Sequence, residues 1–157
     1  MGRIASVAIE TVAAEPMAAV EVKSEFAGLP EAIRQGLDAV FDVLADGDYG
    51  APGAATVYYG PMPNTTVMDL RIGVRLSAPF PGPVSEVAAV ETPAGDVAHA
   101  VYFGPYDQML QGHQAAKAAA QAAGRQITGA SWEVYGDWTD NPDELRTDLF
   151  WLLKGKA

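Results

Sequence analysis

The feature that most constrains the fold is an internal duplication of the chain. Gly28-Leu29-Pro30 and Gly104-Pro105-Tyr106 stand 76 residues apart, and each leads from an alternating apolar segment into a helical pattern. The same shift aligns Thr56–Gly60 with Trp132–Gly136. Each copy reads as strand, strand, helix, strand, strand, and neither half is long enough to bury its apolar faces well alone. We therefore predict an α+β fold of two halves related by a pseudo-two-fold axis, with curved antiparallel sheets and a central ligand groove.

The element boundaries follow from periodicity and from turn residues. Apolar residues at spacings of three and four predict helices over Pro30–Leu44 and Tyr106–Ala123, the second closed by Gly124. Alternating residues predict strands at Ile4–Thr11, Met17–Lys23, Ala55–Tyr59, Val67–Leu76, Val84–Thr92 and Asp96–Phe103, with a turn at Gly60–Asn64. The proline-rich segment 78–83 divides a single domain, 1–157, into halves 1–77 and 84–157.

Composition excludes several classes of function. The formal charge of -10 argues against a nucleic-acid partner, because affinity for phosphate backbones comes mainly from Lys and Arg. The absence of cysteine excludes thiol catalysis and thiolate metal sites, and with only His99 and His113 we predict neither a metal nor a cofactor. Both histidines are expected to be packed or hydrogen-bonded. With no secretion signal and no long apolar run, we expect a cytoplasmic, monomeric protein without a membrane partner.

One acidic residue stands out in the segment Ser131–Trp138. Ser131, Glu133 and Tyr135 alternate with Trp132 and Val134, which predicts a strand with one polar and one apolar face. If Glu133 lies on an enclosed face without a partner, its ionised form is costly, and a cation or a proton would relieve that cost. A solvated glutamate on an exposed face is the alternative interpretation.

The two copies differ at this position. At the shift of 76, Tyr135 corresponds to Tyr59, whereas Glu133 corresponds to Val57. A pocket on the pseudo-axis would therefore carry two tyrosines symmetrically and one carboxylate asymmetrically. Such a site suits an aromatic, cationic guest, although both tyrosines also fit as ordinary half-buried strand residues.

Short motifs in the second half resemble a known family. The run from Ala98 to Tyr106 ends in Gly-Pro-Tyr, Glu133-Val134-Tyr135 follows, and Leu145–Leu149 supplies Leu-Arg-Thr-Asp-Leu. Their order and spacing resemble the DNA gyrase inhibitor-like (GyrI-like) small-molecule-binding domain of bacteria, which also forms the effector-binding part of some multidrug-responsive transcription regulators. The resemblance implies that Glu133 is the pocket carboxylate for cationic aromatic drugs, with Tyr135 beside it.

Further ligand-binding candidates come with this resemblance. Tyr106 belongs to the Gly-Pro-Tyr element, and the internal repeat adds Tyr59 and, less directly, Tyr58. Trp138 stands in a lengthened segment after Tyr135, where it would either cover the groove or pack on the domain edge. Regulators of this kind carry a DNA-binding domain ahead of the effector domain, whereas the first half of the fold occupies residues 1–83 here, so we do not expect direct control of transcription.

Three functions remain open. The first is a binding module that sequesters or senses aromatic, often cationic, small molecules. The second is a hydrolase that opens the cyclopropane of DNA-alkylating natural products, with Glu133 as general base and Tyr135 as the neighbouring donor. The third is a protein-interaction role, such as inhibition of a gyrase-like partner, which rests on acidity alone.

Overall fold

The computed structural model describes residues 2–61 and 66–155. The described residues form two α-helices, α1 (Leu29–Ala45) and α2 (Leu110–Ala122), and eight strands. The strands are β1 (Arg3–Val12), β2 (Pro16–Glu25), β3 (Ala55–Tyr59), β4 (Val67–Arg75), β5 (Ala88–Glu91), β6 (Gly95–Phe103), β7 (Ile127–Tyr135) and β8 (Arg146–Leu153). All of the described strand pairs are antiparallel, so the predicted α+β fold is confirmed. The predicted turn at residues 60–64 lies mostly outside the described residues.

The chain divides into two compact units, and Ala14–Pro93 forms the contiguous unit. Its strands lie in the order β3-β4-β2-β5, and α1 packs on one face of them. Close packing is possible because α1 carries Gly36 where it crosses the sheet. A Cβ there would lie 2.9 Å from the Ile72 side chain and 3.1 Å from that of Val20.

The split unit comprises Met1–Ala13 and Ala94–Ala157. Its strands lie in the order β1-β6-β8-β7, and α2 covers one face. Gly112 of α2 stands 76 residues after Gly36 and has the same role. A Cβ on Gly112 would overlap the Leu149 side chain and would lie 3.3 Å from that of Tyr102. The core beneath α2 includes Ala98, Ala100, Tyr102, Met109, Ala116, Ala120, Leu149 and Leu153. The small alanines of α2 therefore serve close packing of helix on sheet.

The strand pairing does not follow the simple chain order of the two halves. β1 pairs with β6 from Arg3 to Val12, and β5 pairs with β2. Each unit thus has the predicted content of four strands and one long helix, but its outer strand comes from the other half of the chain. Periodicity indicates which residues form a strand and which face they bury, whereas the pairing partner depends on contacts far apart in sequence.

The element boundaries differ from the predicted ones in two places. The second helix was predicted from Tyr106, but Tyr106–Gln108 forms a separate 3-10 turn and α2 begins at Leu110. The strand predicted from Val84 is shorter, because Val84 and Val87 close a turn on each other and Ser85 has a positive φ of 52°. Neither α-helix of the described residues combines the length and the apolar character required to cross a bilayer.

Candidate functional site

Glu133 lies in the middle of β7 and faces α2. It pairs with Leu149 of β8, a core residue beneath that helix, and only 7% of it is exposed. Ser131 and Tyr135 share its face, while Trp132 points to the opposite side, as the alternation predicted. The alternative interpretation, a solvated Glu133 on an exposed strand face, is therefore wrong. A buried carboxylate loses hydration and depends on hydrogen bonds from the protein.

Glu133 has such bonds. From the sequence, an enclosed Glu133 was considered without a partner, and the structure corrects this, because the carboxylate is hydrogen-bonded. The Tyr135 hydroxyl donates to Oε1 at 2.6 Å, and His113 Nε2 lies 2.7 Å from Oε2. The first contact follows from alternation, because residues two apart on a strand share a face. The second requires α2 to bring His113 within hydrogen-bond distance of a β7 side chain. Together they give each oxygen of the carboxylate a donor.

His113 in turn is bound by Trp151 of β8. The indole Nε1 donates to His113 Nδ1 at 3.0 Å, and the two rings meet nearly at right angles, 88°, with centroids 5.8 Å apart. The expectation of a hydrogen-bonded histidine is met, but its partner is the candidate carboxylate. His113 was not a predicted site residue, because its place on the apolar side of the helix favoured a packed or hydrogen-bonded histidine. Its contact with Glu133 joins residues 20 apart on a helix and a strand, which share no local signal. One feature was readable: His113 is a polar residue among small residues of α2 that face the sheet.

Aromatic rings border the carboxylate. Tyr106 meets Tyr135 edge to face, with centroids 5.5 Å apart at an angle of 65°. Tyr106 is 44% exposed, whereas Tyr135 is half-buried, so the pair leads from the surface toward Glu133. Burial raises the pKa of Tyr106. The phenol is therefore protonated at neutral pH and presents a neutral face and edge to a ligand.

The tyrosines of the contiguous unit point to opposite faces of β3. Tyr59 pairs with Leu70 on the side that α1 covers, which is the position equivalent to Tyr135. Tyr58 pairs with Arg71, and the guanidinium of Arg71 lies 5.3 Å from the centroid of the Tyr58 ring. Tyr58 lines a cavity of about 460 Å³ whose charged residues are Glu21, Lys23, Asp69 and Arg71. Only Tyr59 thus keeps the equivalence that the repeat predicted.

Trp138 lies in the loop that follows β7. It is 72% exposed, and none of the described ring contacts or hydrogen bonds joins it to Glu133. The role of Trp138 as a cover of the ligand site stays a prediction.

Thr147 of β8 adds a polar group to the α2-facing side. It pairs with Tyr102 on one neighbouring strand and with Tyr135 on the other. It is fully buried, and its hydroxyl has no hydrogen-bond partner among the described residues. A buried hydroxyl without a partner costs free energy, and no described residue accepts the hydrogen bond that Thr147 can donate.

A second charged cluster lies on the opposite face of the same sheet. His99 Nε2 is 2.7 Å from Asp148 Oδ2, its Nδ1 is 3.2 Å from both oxygens of Glu10, and its ring stacks on Phe150. The hydrogen bond to Asp148 raises the pKa of His99 although burial opposes it. Burial alone would raise the pKa of Asp148, but hydrogen bonds from His99 and Arg146 lower it to about 2. This cluster links β1, β6 and β8.

The fold is similar to that of several solved structures. The C-terminal domain of EcmrR matches with a TM-score of 0.75 and 12% identity, covering 95% of this chain and 97% of that one. In an EcmrR–DNA complex the TM-score is 0.77 at 13% identity over 95% of this chain, which spans 57% of the EcmrR chain. SAV2435, solved bound to tetraphenylphosphonium, matches with a TM-score of 0.61 and 14% identity over 96% and 94% of the two chains.

A hydrolase from Listeria innocua has the fold as well, with a TM-score of 0.63 and 11% identity over 94% and 91% of the two chains. No protein-family model and no curated protein matches the sequence. At these identities the likeness concerns the fold alone. It confirms the predicted α+β fold, which this chain shares with the EcmrR C-terminal domain and SAV2435.

Proposed function

We propose that the protein binds aromatic, positively charged small molecules at Glu133, and that it acts in their sequestration or sensing. The observation that supports this most is the buried Glu133 carboxylate, held by Tyr135 and His113 at the inner end of the Tyr106–Tyr135 pair. The rings offer stacking surfaces to an aromatic guest, and the carboxylate offers a counter-charge. The fold it shares with SAV2435, which was solved with an aromatic cation, agrees with this proposal.

The contribution of the charge is large enough to measure. Two unit charges about 5 Å apart attract each other by roughly 3 kcal/mol at an effective dielectric constant of about 20. Desolvation of the guest offsets part of this attraction. We therefore expect the substitution Glu133→Gln, which keeps the shape of the side chain, to weaken binding of a cation at least about tenfold.

The experiment compares two guests of similar shape by calorimetric titration. Tetraphenylphosphonium carries the charge, and triphenylphosphine oxide presents similar rings without it. Glu133→Gln is expected to lose affinity for the cation only. The matched control is Glu144→Gln, which removes the same charge from an exposed residue of the Pro142–Glu144 turn. Equal affinity of wild type and Glu133→Gln for tetraphenylphosphonium would refute the role of the carboxylate, and absence of binding to wild type would refute the function.

A hydrolase is the second candidate, and the short contact between Tyr135 and Glu133 favours it. Glu133 would take a proton from a water molecule while the oxygen of that water forms a bond to a cyclopropane carbon. The ring bond breaks, its electron pair moves to a carbonyl conjugated with the ring, and Tyr135 protonates that oxygen. The proton held by Glu133 then returns to Tyr135 across their 2.6 Å contact.

The test of hydrolysis follows the mass of a cyclopropane-bearing alkylating compound. Wild type is expected to yield a product heavier by one water, and Glu133→Gln is expected to yield none above the uncatalysed rate. Tyr135→Phe separates the role of the ring in binding from the role of the hydroxyl in hydrolysis, because it removes the proton donor and keeps the ring. Unchanged alkylator in the presence of wild type would leave binding as the function.

A further inference from the structure

We infer that His113 and Trp151 form a positioning pair that fixes the orientation of the Glu133 carboxylate, an inference that rests on the binding function proposed for that residue. The pair consists of one helical and one strand residue. His113 lies on the sheet-facing side of α2, and Trp151 lies on β8 beside it. His113 contacts Glu133 through one ring nitrogen and Trp151 through the other.

The chemistry of the indole determines which nitrogen of His113 carries the proton. The indole N–H donates and never accepts, so its contact at 3.0 Å requires a lone pair on His113 Nδ1. The proton of the neutral imidazole must then lie on Nε2, which is the nitrogen 2.7 Å from Glu133 Oε2. Trp151 thus selects the tautomer that donates to the carboxylate. Without that selection, the other tautomer would place a lone pair against the negative charge.

Trp151 is itself held in place by the helix that carries His113. Lys117, one turn further along α2, lies with Nζ 4.3 Å from the centroid of the indole ring. A cation over the ring face adds an attraction, and the His113 contact fixes the ring edge. The indole therefore has both its plane and its N–H direction set by α2, and the direction of the His113 N–H follows from them.

This arrangement gives His113 a role that differs from those of Glu133 and Tyr135. His113 is only 15% exposed at its side chain, and both of its ring nitrogens are engaged within the protein. It therefore acts through Glu133 and does not contact the ligand. A group that keeps one donor and one acceptor in the same places would replace it, which makes Gln the conservative variant and Leu the disruptive one.

The first test needs no ligand. The ¹⁵N resonances of the imidazole nitrogens distinguish the tautomers, and the chain has only one other histidine, His99, so His113→Gln identifies the signals. We expect wild type to show a protonated Nε2 and an unprotonated Nδ1. Trp151→Phe, which removes the indole N–H and keeps a ring, is expected to give a mixture of tautomers. Trp138→Phe is the matched control, since that indole is exposed.

The second test measures binding of tetraphenylphosphonium. We expect Trp151→Phe and His113→Leu to weaken it by about two- to tenfold, the effect of one hydrogen bond, and His113→Gln to restore most of the loss. Triphenylphosphine oxide should be affected little. An unchanged tautomer in Trp151→Phe, or wild-type affinity in His113→Leu, would overturn the inference. If wild type itself binds no cation, the proposed function fails, and the pair is judged on the tautomers alone.

Discussion

The hydrogen bond between Tyr135 and Glu133 is the interaction whose strength can be predicted most directly. The donor is a phenol, the acceptor is a carboxylate with a side chain 10% exposed, and their oxygens are 2.6 Å apart. Hydrogen bonds to a charged group contribute about 1.5–3 kcal/mol, more than those between neutral groups. Because Glu133 is largely shielded from water, we expect a coupling energy within that range.

A double-mutant cycle isolates the coupling energy between Tyr135 and Glu133. Tyr135→Phe removes the hydroxyl, Glu133→Met removes the acceptor with little change in volume, and the third variant carries both changes. Free energies of unfolding from urea titrations give the coupling, provided that the dependence on urea concentration is the same in all four proteins. The loss at His113, whose N–H is left without its acceptor, occurs in both variants that lack Glu133 and cancels in the cycle.

The exposed pair Lys23–Asp69 provides the control cycle. Its atoms are 2.9 Å apart, but the two side chains are 75% and 67% exposed, so solvent screens their attraction. We expect its coupling to be clearly smaller than that of Tyr135 and Glu133. A coupling below about 0.5 kcal/mol for the buried pair, or one no larger than that of the control, would refute the reasoning that burial strengthens this bond.

Two further predictions concern stability in the split unit. Thr147→Val is expected to raise the free energy of unfolding by about 1 kcal/mol, because it replaces a buried, unpartnered hydroxyl by a methyl group of the same shape; a decrease in a urea titration would show that the hydroxyl has a partner. His99→Gln is expected to destabilise most between about pH 4 and pH 6.5. The raised pKa of His99 contributes stability that is lost as pH rises through it, and the lowered pKa of Asp148 contributes stability that is lost as pH falls toward about 2. A stability difference between wild type and His99→Gln that does not vary with pH would contradict the second prediction.

Much of the fold was predictable because its signals are local. The apolar stripe of the first helix predicted Pro30–Leu44, and the structure has Leu29–Ala45. The alternation around Glu133 predicted which side chains share its face, and hence that Tyr135 lies next to the carboxylate. The equivalence of the two copies matched Tyr59 with Tyr135, and Tyr59 does lie on the helix-covered side of its strand, as Tyr135 does.

The strand pairing and the residues that complete the site could not be predicted, because they depend on contacts between residues far apart in the sequence. Alternation identifies β1 as a strand but does not indicate β6 as its partner. His113 reaches Glu133 only because α2 packs on the neighbouring strands β6 and β8, and the closeness of that packing depends on Gly112, a residue that helix propensity alone disfavours. Trp151 completes the group from a third element. A site built from one residue on each of several elements carries no signature in any single segment.

The origin of the outer strands sets the order in which the protein can be completed during synthesis. The contiguous unit ends at Pro93, whereas β1, which precedes that unit in the chain, has its partner in β6 and so waits for residues up to 103. At translation rates of about 5–20 residues per second, the ten residues from Ala94 to Phe103 take roughly 0.5–2 s. During that interval β1 presents unpaired backbone groups along its whole length, which is the state in which strands associate with other chains. The two charged residues of this strand, Arg3 and Glu10, would limit such association until β6 emerges.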